Sequence, residues 1–197
     1  MKVSAIVLAA GKSSRMGTNK LLLEVGERKV LEHILHKLKP YPTIVVTGYN
    51  PEEIRPIIDR YEVEEAYNSN YEEGMTTSFQ RGISKLDENV EAAFLILSDT
   101  FGFREDLLER MIDKMDSEDD ALLVSPLYEG KKGHPVLVRS DLFSEFLSLS
   151  HRGTMKDIVE GYEKRHRYVE GSVWCRIDLD TPEDYEKVKE MWKSKSA

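Results

Sequence analysis

The sequence is poor in several residue types, and each scarcity excludes a class of protein. Its 197 residues include one cysteine, Cys175, so no disulfide can form within the chain, and we expect a reducing, cytoplasmic location. Seven prolines and 12 glycines are too few for a repetitive or linker-rich protein. No apolar run approaches the roughly 20 residues that span a bilayer, so a membrane is not an expected partner.

Positive charge is also scarce, with 28 Lys and Arg against 36 Asp and Glu and a formal net charge of −8. Broad nucleic-acid binding requires clustered positive charge, so nucleic acid is not an expected partner either. The hydrophobic fraction of 40% and the charged fraction of 32% are typical of a soluble globular protein. The length favours one domain over residues 1–197.

Apolar runs alternate with amphipathic stretches along the chain, which predicts a three-layer α/β/α fold with an open, mostly parallel sheet. Residues 3–8 are apolar in a continuous rather than alternating pattern, so we place this strand centrally, covered on both faces. The other predicted strands are 43–47, 92–97, 121–125, 135–138, 167–169 and 173–177. The predicted helices are 29–38, 51–61 (capped by Asn50, with a kink or a late start at Pro56), 76–86, 104–115, 140–149, 154–162 and 181–192.

The loop that follows the first strand combines small residues with donors for phosphate. Ala9, Ala10 and Gly11 let a ligand approach the backbone closely. The loop is not a dinucleotide fingerprint, because no Gly-x-Gly opens it, and Gly17 lacks the Lys and Ser/Thr that complete a P-loop. From spacing alone it is either a phosphate site or a solvated basic loop. The donors are Ser13, Ser14, Arg15 and Lys20.

Residues 8–20 read Leu-Ala-Ala-Gly-Lys-Ser-Ser-Arg-Met-Gly-Thr-Asn-Lys. This stretch resembles the nucleotide-binding signature of the MobA-like nucleotidyltransferases, Leu-Ala-Ala-Gly-x-Ser-x-Arg-Met-Gly-x-x-Lys, and matches it in full. Segments 46–49, 68–78, 133–135 and 178–184 are similar, in the expected order, to the molybdenum cofactor cytidylyltransferase (MocA-type) branch. The resemblance covers essentially the whole chain and implies a Rossmann-like sheet of the nucleotide-diphospho-sugar transferase type.

A second segment, 93–101, is an apolar strand that delivers Asp99 to the edge of the sheet where ligands bind. One carboxylate there suits Mg²⁺, which takes one or two carboxylates plus substrate phosphates and water. The alternative is that Asp99 only caps a turn. The resemblance implies that Asp99 binds the metal, although this chain has Ser98 and Phe101 where the family normally has Gly and Pro.

The third segment contains Asp178 and Asp180, which alternate along an extended stretch and therefore point to the same side. Thr181 before Pro182 is a good helix cap, so Asp180 or Thr181 has a structural alternative. The resemblance implies that Asp178 is the second metal ligand, facing Asp99, and that Asp180 binds substrate.

Gly74 and Ser78 lie where the family has its base-recognition loop, here similar to the cytidine-binding kind. The local pattern also fits a turn ended by Gly74 and a helix start, and both roles are compatible because the amides of a helix start can serve a ligand. The resemblance places His134 near the acceptor pocket; the alternative is a turn histidine without a catalytic role.

The resemblance implies a Mg²⁺-dependent nucleotidyltransferase that transfers CMP from CTP to a phosphorylated small-molecule acceptor of the molybdopterin type and releases pyrophosphate. A molybdoenzyme that receives the cofactor is the implied protein partner. Two alternatives stay open. The first is a related nucleotidyltransferase that uses another acceptor (a sugar or polyol phosphate) or GTP as donor. The second is a nucleotide- or cofactor-binding delivery protein with little turnover. Arg15, Lys20 and Asp99 are the expected catalytic residues. The expected nucleotide-binding residues are Leu8, Ala9, Ala10, Gly11, Ser13, Arg15, Lys20, Gly74 and Ser78.

Overall fold

The computed structural model describes residues 1–150 and 153–196. The strands in this part of the chain are β1 (Val3–Ala9), β2 (Glu24–Val25), β3 (Arg28–Lys29), β4 (Thr43–Thr47), β5 (Glu64–Tyr67), β6 (Ala92–Leu97), β7 (Leu123–Tyr128), β8 (Lys131–Lys132), β9 (Val136–Arg139) and β10 (His166–Glu170). The α-helices are α1 (Val30–Leu38), α2 (Arg55–Tyr61), α3 (Met75–Ile83), α4 (Glu105–Asp116), α5 (Phe143–Ser148), α6 (Met155–Gly161) and α7 (Pro182–Ser196).

The main sheet has the strand order β10-β7-β9-β6-β1-β4-β5, with β8 paired to β7 at one end. β1 lies between β6 and β4 and runs parallel to both, with Ile6 opposite Leu95 and Ile44. This confirms that the first strand is central. β9 runs antiparallel to its neighbours β6 and β7, so the sheet is mostly but not wholly parallel.

Helices cover both faces of the sheet, which confirms the three-layer architecture. The side chains of β1 alternate between the two cores, since Ala5 and Val7 join one cluster whereas Ile6 and Leu8 join the other. Apolar residues of α1, α2, α4 and α7 complete the first core. Residues of α3, α5 and α6 complete the second. The described helices include none that is both long and apolar enough to cross a membrane.

One local prediction is confirmed and two need correction. The helix predicted from residue 51 has the late start that Pro56 allowed: a 3₁₀ turn (Pro51–Glu53) precedes α2, because Pro56 is tolerated only in a first helical turn. Asn50 does not cap it, since its backbone is left-handed (φ 44°) and its side chain makes no cap hydrogen bond. The strand predicted at 173–177 is wrong: the segment is a 3₁₀ helix (Val173–Arg176), in which the Cys175 N–H donates to the Ser172 carbonyl.

Candidate functional site

Two adjoining cavities open at the edge of the sheet where β1 and β6 end. The larger measures about 520 Å³ and the smaller about 190 Å³, and both are lined by Gly11 and Lys20. The larger is also lined by Leu8, Ala10, Lys12, Tyr71, Glu72, Gly74, Met75, Ser78, Leu97, Ser98 and Asp99. The smaller is also lined by Ala9, Ser13, Ser14, Arg15, Leu21, Ser98 and Asp180. Residues predicted from three distant segments therefore meet at one place.

The loop between β1 and the 3₁₀ helix Lys20–Leu22 is shaped by its own backbone. Ser13 has a left-handed backbone (φ 49°), and its carbonyl accepts a hydrogen bond from the Met16 N–H at 3.0 Å. Met16 is buried, so it anchors the middle of the loop to the core. Asn19 caps the 3₁₀ helix by accepting from the Leu21 N–H at 3.1 Å. This cap fixes the backbone at Lys20, from which the ammonium reaches both cavities.

Lys20 lies between two carboxylates. Its Nζ is 3.4 Å from Asp99 Oδ2 and 3.1 Å from Asp180 Oδ1, and its side chain is only 14% exposed. Arg15 adds a second positive charge, with Nη2 2.7 Å from Asp180 Oδ2. Two cations and two anions therefore neutralise one another in the absence of ligand, and a polyanion entering here competes with the carboxylates for Lys20 and Arg15.

Asp180 reaches Lys20 because the first turn of α7 fixes its backbone. The N–H groups of Asp180 and Thr181 donate to Asp184 Oδ2 at 3.3 and 3.0 Å, and the Asp184 N–H donates to Thr181 Oγ1 at 3.2 Å. Thr181 is thus a helix cap, as predicted. Asp178 is exposed and does not line either cavity. Among the described residues no group of three or more His, Cys, Asp and Glu side chains is arranged to hold a metal ion without further ligands.

His134 lies on the segment between β8 and β9 and lines neither cavity. Burial lowers the pKa of His134, and the negative charge of Asp99 opposes this shift. The His134 N–H donates to the Cys175 carbonyl at 2.8 Å, whereas its ring Nδ1 is buried with no hydrogen-bond partner in the described part of the chain. A Cβ on Gly133 would approach the same carbonyl to 2.4 Å, so only glycine fits there.

Gly74 and Ser78 are brought together by the start of α3. Gly74 has φ 113°, which other residues rarely adopt, and it directly precedes the helix. Ser78 is buried, and its Oγ accepts a hydrogen bond of 3.0 Å from Asn68 Nδ2. Asn68 itself is buried at the end of β5 and also donates to Thr77 Oγ1. It therefore orients the Ser78 hydroxyl, a role that the sequence alone did not indicate.

Sequence reasoning also missed an ion pair at the rim of the large cavity. Lys12 Nζ is 2.5 Å from Glu72 Oε1, and it lies 5.9 and 5.8 Å from the ring centroids of Tyr49 and Tyr71. The hydrogen bond and the charge of Glu72 raise the pKa of Lys12. Lys12 occupies a variable position of the signature, which is why the motif gave no signal for it.

Comparisons with known proteins identify the family. The sequence profile of the MobA-like NTP transferase domain matches residues 5–168. The molybdenum cofactor cytidylyltransferase of Escherichia coli K12 is 26% identical over 196 residues, which cover 96% of this chain and 97% of that protein. The molybdenum cofactor guanylyltransferase of Shewanella pealeana is 27% identical over 206 residues, covering 96% and 94%.

Solved structures have the same fold. The crystal structure of Rv0371c from Mycobacterium tuberculosis H37Rv superposes with a TM-score of 0.84 at 22% identity, over 96% of this chain and 98% of that one. The complex of Rv0371c with manganese superposes with a TM-score of 0.80 at 20% identity, over 96% and 99%. At these identities the likeness establishes the fold alone.

Proposed function

The chain belongs to the MobA-like NTP transferase family, and on that basis we propose that it transfers CMP from CTP to the phosphate of a molybdopterin-type acceptor. The observation that carries this proposal is the linked placement of Lys20, Arg15, Asp99 and Asp180 along the two adjoining cavities of about 520 and 190 Å³. The nucleotide base enters the large cavity, and the phosphates occupy the small one.

In this arrangement the base lies against Ala10, Gly74 and Ser78. The phosphates lie along the loop after β1, where its backbone and the Ser13 hydroxyl supply donors and Arg15 supplies charge. The remaining backbone contacts of the nucleotide come from Leu8, Ala9 and Gly11. Glycine and alanine matter here because the ligand must approach the main chain closely.

The acceptor phosphate attacks the α-phosphorus in line, and pyrophosphate leaves from the opposite side. Lys20 moves from the two carboxylates to the triphosphate and neutralises charge that develops on it, with Arg15 beside it. Catalysis then rests on positioning and on electrostatic stabilisation by preorganised groups. We place the acceptor on the side of His134, whose ring is influenced by the charge of Asp99, and Asp180 contributes to holding the substrate.

The carboxylates fit a magnesium ion. Asp99 Oδ2 and Asp180 Oδ1 both contact Lys20 Nζ, at 3.4 and 3.1 Å, so the two carboxylates already share one cationic group. Magnesium uses one or two carboxylates plus substrate phosphates, at roughly 2.1 Å each. Held by these carboxylates, it would supply positive charge that offsets the charge of the phosphates. Rv0371c, which has the same fold, was solved in complex with manganese, and this supports a divalent metal as the proposed cofactor.

We propose Asp99 as one metal ligand, and Asp178 and Asp180 as the candidates for the other. Asp180 has the advantage of its contact with Lys20. The variants Asp180→Asn and Asp178→Asn distinguish the two candidates. The variant that binds Mg²⁺ more weakly than the wild type in the presence of CTP identifies the ligand, and wild-type affinity in both variants would exclude both candidates.

The reaction is tested by incubating the purified protein with Mg²⁺, each triphosphate and each acceptor, and following pyrophosphate. We expect release with CTP and a molybdopterin-type acceptor, and a drop to background in Lys20→Ala. Release only with GTP, or only with a sugar or polyol phosphate, would assign the chain to another branch. Tight nucleotide binding with no release from any acceptor would instead identify a delivery protein.

The proposed product is a cofactor that another protein must receive, so a molybdoenzyme is the proposed partner. The proposed location is the cytoplasm, in whose reducing environment the buried thiol of Cys175 stays reduced.

A further inference from the structure

Four aromatic rings from distant parts of the chain meet two residues beyond Asp99. The ring centroid of Phe101 is 5.9 Å from that of Trp192, 6.0 Å from that of Trp174 and 5.7 Å from that of His33. Trp192 is also 5.3 Å from Trp174, edge to face, and 4.5 Å from His33. We refer to these four residues as the aromatic cluster. None of them belongs to the motifs discussed above except Phe101, where the family normally has proline.

The aromatic cluster joins the two acidic segments of the site. Phe101 is fully buried and lies on the same loop as Asp99. Trp192 lies on α7, whose first turn holds the backbone of Asp180 through Asp184. The contact between Phe101 and Trp192 therefore connects the loop of Asp99 to the helix that follows Asp180, in addition to the connection that Lys20 makes.

The backbone at Phe101 also makes contacts that fix its position. Lys37 Nζ, on α1, donates to the Phe101 carbonyl at 2.9 Å and to the His33 carbonyl at 3.1 Å. Next along the chain, a Cβ on Gly102 would lie 2.0 Å from the Trp174 ring, so the main chain packs directly against the indole. Since the loop is fixed on two sides, the position of Asp99 depends on the aromatic cluster.

We propose that Phe101 and Trp192 are positioning residues, which set the separation of the Asp99 and Asp180 carboxylates and thereby the affinity for the metal–nucleotide complex. This inference rests on the proposed function, because the separation matters only if both carboxylates serve that complex. Residues that support metal ligands from behind typically change metal affinity by about 10- to 100-fold when they are mutated. We expect an effect of that size.

The test measures equilibrium binding of Mn²⁺ together with CTP, from the signal of free Mn²⁺ in electron paramagnetic resonance. Trp192→Ala should weaken binding by about 10-fold or more, and Trp192→Phe, which restores a ring, should bind close to wild type. Tyr41→Ala is the matched control: Tyr41 is a half-buried aromatic on the same core, packed edge-on against Phe94 at 5.5 Å. It precedes β4 at the opposite end of the sheet, so its variant should bind Mn²⁺ and CTP normally.

A second variant guards against loss of folding in Trp192→Ala. Lys37→Met removes the hydrogen bond to the Phe101 carbonyl while leaving the rings in place, and it too should weaken binding. Tryptophan emission supplies a further measurement, because both tryptophans of the chain belong to the aromatic cluster. Mn²⁺ with CTP should change the emission of the wild type, and the change should be smaller in Lys37→Met.

Melting curves establish that each variant is folded at the temperature of the binding assay. Wild-type affinity in folded Trp192→Ala and Lys37→Met would overturn the inference, as would an equal loss in Tyr41→Ala, which would indicate general destabilisation. A wild-type protein that binds no Mn²⁺ with CTP would overturn the proposed function itself, and this failure is recognised before any variant is compared.

Discussion

Acid should destabilise this protein through His166, in β10. The side chain is only 4% exposed and stacks on Tyr168 with ring centroids 4.7 Å apart. Its Nε2 is 2.9 Å from Ser125 Oγ, and its Nδ1 is buried without a partner in the described residues. Burial lowers the pKa of His166 to about 4, and the positive charge of Lys132 acts in the same direction.

The direction of the pH effect follows from the pKa of His166 in the folded and in the unfolded chain. In the unfolded chain the pKa of His166 returns to about 6.5, so between pH 6.5 and 4 the unfolded chain binds a proton that the folded protein does not. Stability is therefore intact above pH 6.5 and falls as the pH decreases. The difference between 6.5 and about 4 corresponds to about 3 kcal/mol once the pH is below 4, and to about 2 kcal/mol at pH 5.

The assay is urea unfolding at pH 7 and pH 5, for the wild type and for His166→Gln. The glutamine cannot titrate, so the loss of unfolding free energy between the two pH values should shrink by about 2 kcal/mol, whatever the substitution does at pH 7. His36→Gln is the control: burial lowers the pKa of His36 as well, but this residue is only half-buried on α1. If His166→Gln lost as much unfolding free energy between pH 7 and pH 5 as the wild type, the reasoning would be refuted.

Three further outcomes are expected. Lys20→Ala should lower turnover much more than the melting temperature, because the ammonium faces phosphate charge and contributes little packing; equal losses would make it a structural residue. Ser78→Ala should narrow the preference for CTP without abolishing transfer, because a wrong base leaves the buried Ser78 hydroxyl of the wild type unpaired, at a cost of about 1–3 kcal/mol. Competition binding of CTP, GTP and ATP checks this, and equal affinities of the wild type for the three would contradict it. Gly82→Ala should destabilise by about 1–3 kcal/mol, because its Cβ would lie 2.4 Å from Ile6 Cγ2. Gly161→Ala, with no atom within 4 Å of the new Cβ, is its control in thermal unfolding.

Much of the fold was predictable because a strand that is buried on both faces of a sheet has a continuous apolar run in the sequence. Residues 3–8 have no polar alternation, and a strand of that kind fits only the interior of a sheet with helices on both sides. The meeting of the loop after β1 with Asp99 was predictable for a related reason. Carboxyl ends of parallel strands gather at one edge, so residues that follow such strands meet there.

Short elements were not predictable, because their structure is decided by distant partners. The edge strand β5 is rich in glutamate and gives no apolar run, yet its pairing with β4 alone makes it a strand. Residues 173–177 are apolar except for Arg176, as in a short buried strand, but Trp174 packs into the aromatic cluster and the segment is a 3₁₀ helix instead. Asn68 was missed likewise, because its role depends on a hydrogen bond to the following helix.

Alternation along the chain was not enough to predict the positions of Asp178 and Asp180. Alternation places Asp178 and Asp180 on one side only while the chain stays extended. Here only Asp180 lines the cavity beside Lys20, and its backbone is fixed because Asp184 Oδ2 accepts hydrogen bonds from the N–H groups of Asp180 and Thr181. The capping residues, which look purely structural in the sequence, thus hold the carboxylate that meets Lys20. Since α7 is held in turn by Trp192, the geometry of the acidic site depends on packing far along the chain, which no local motif encodes.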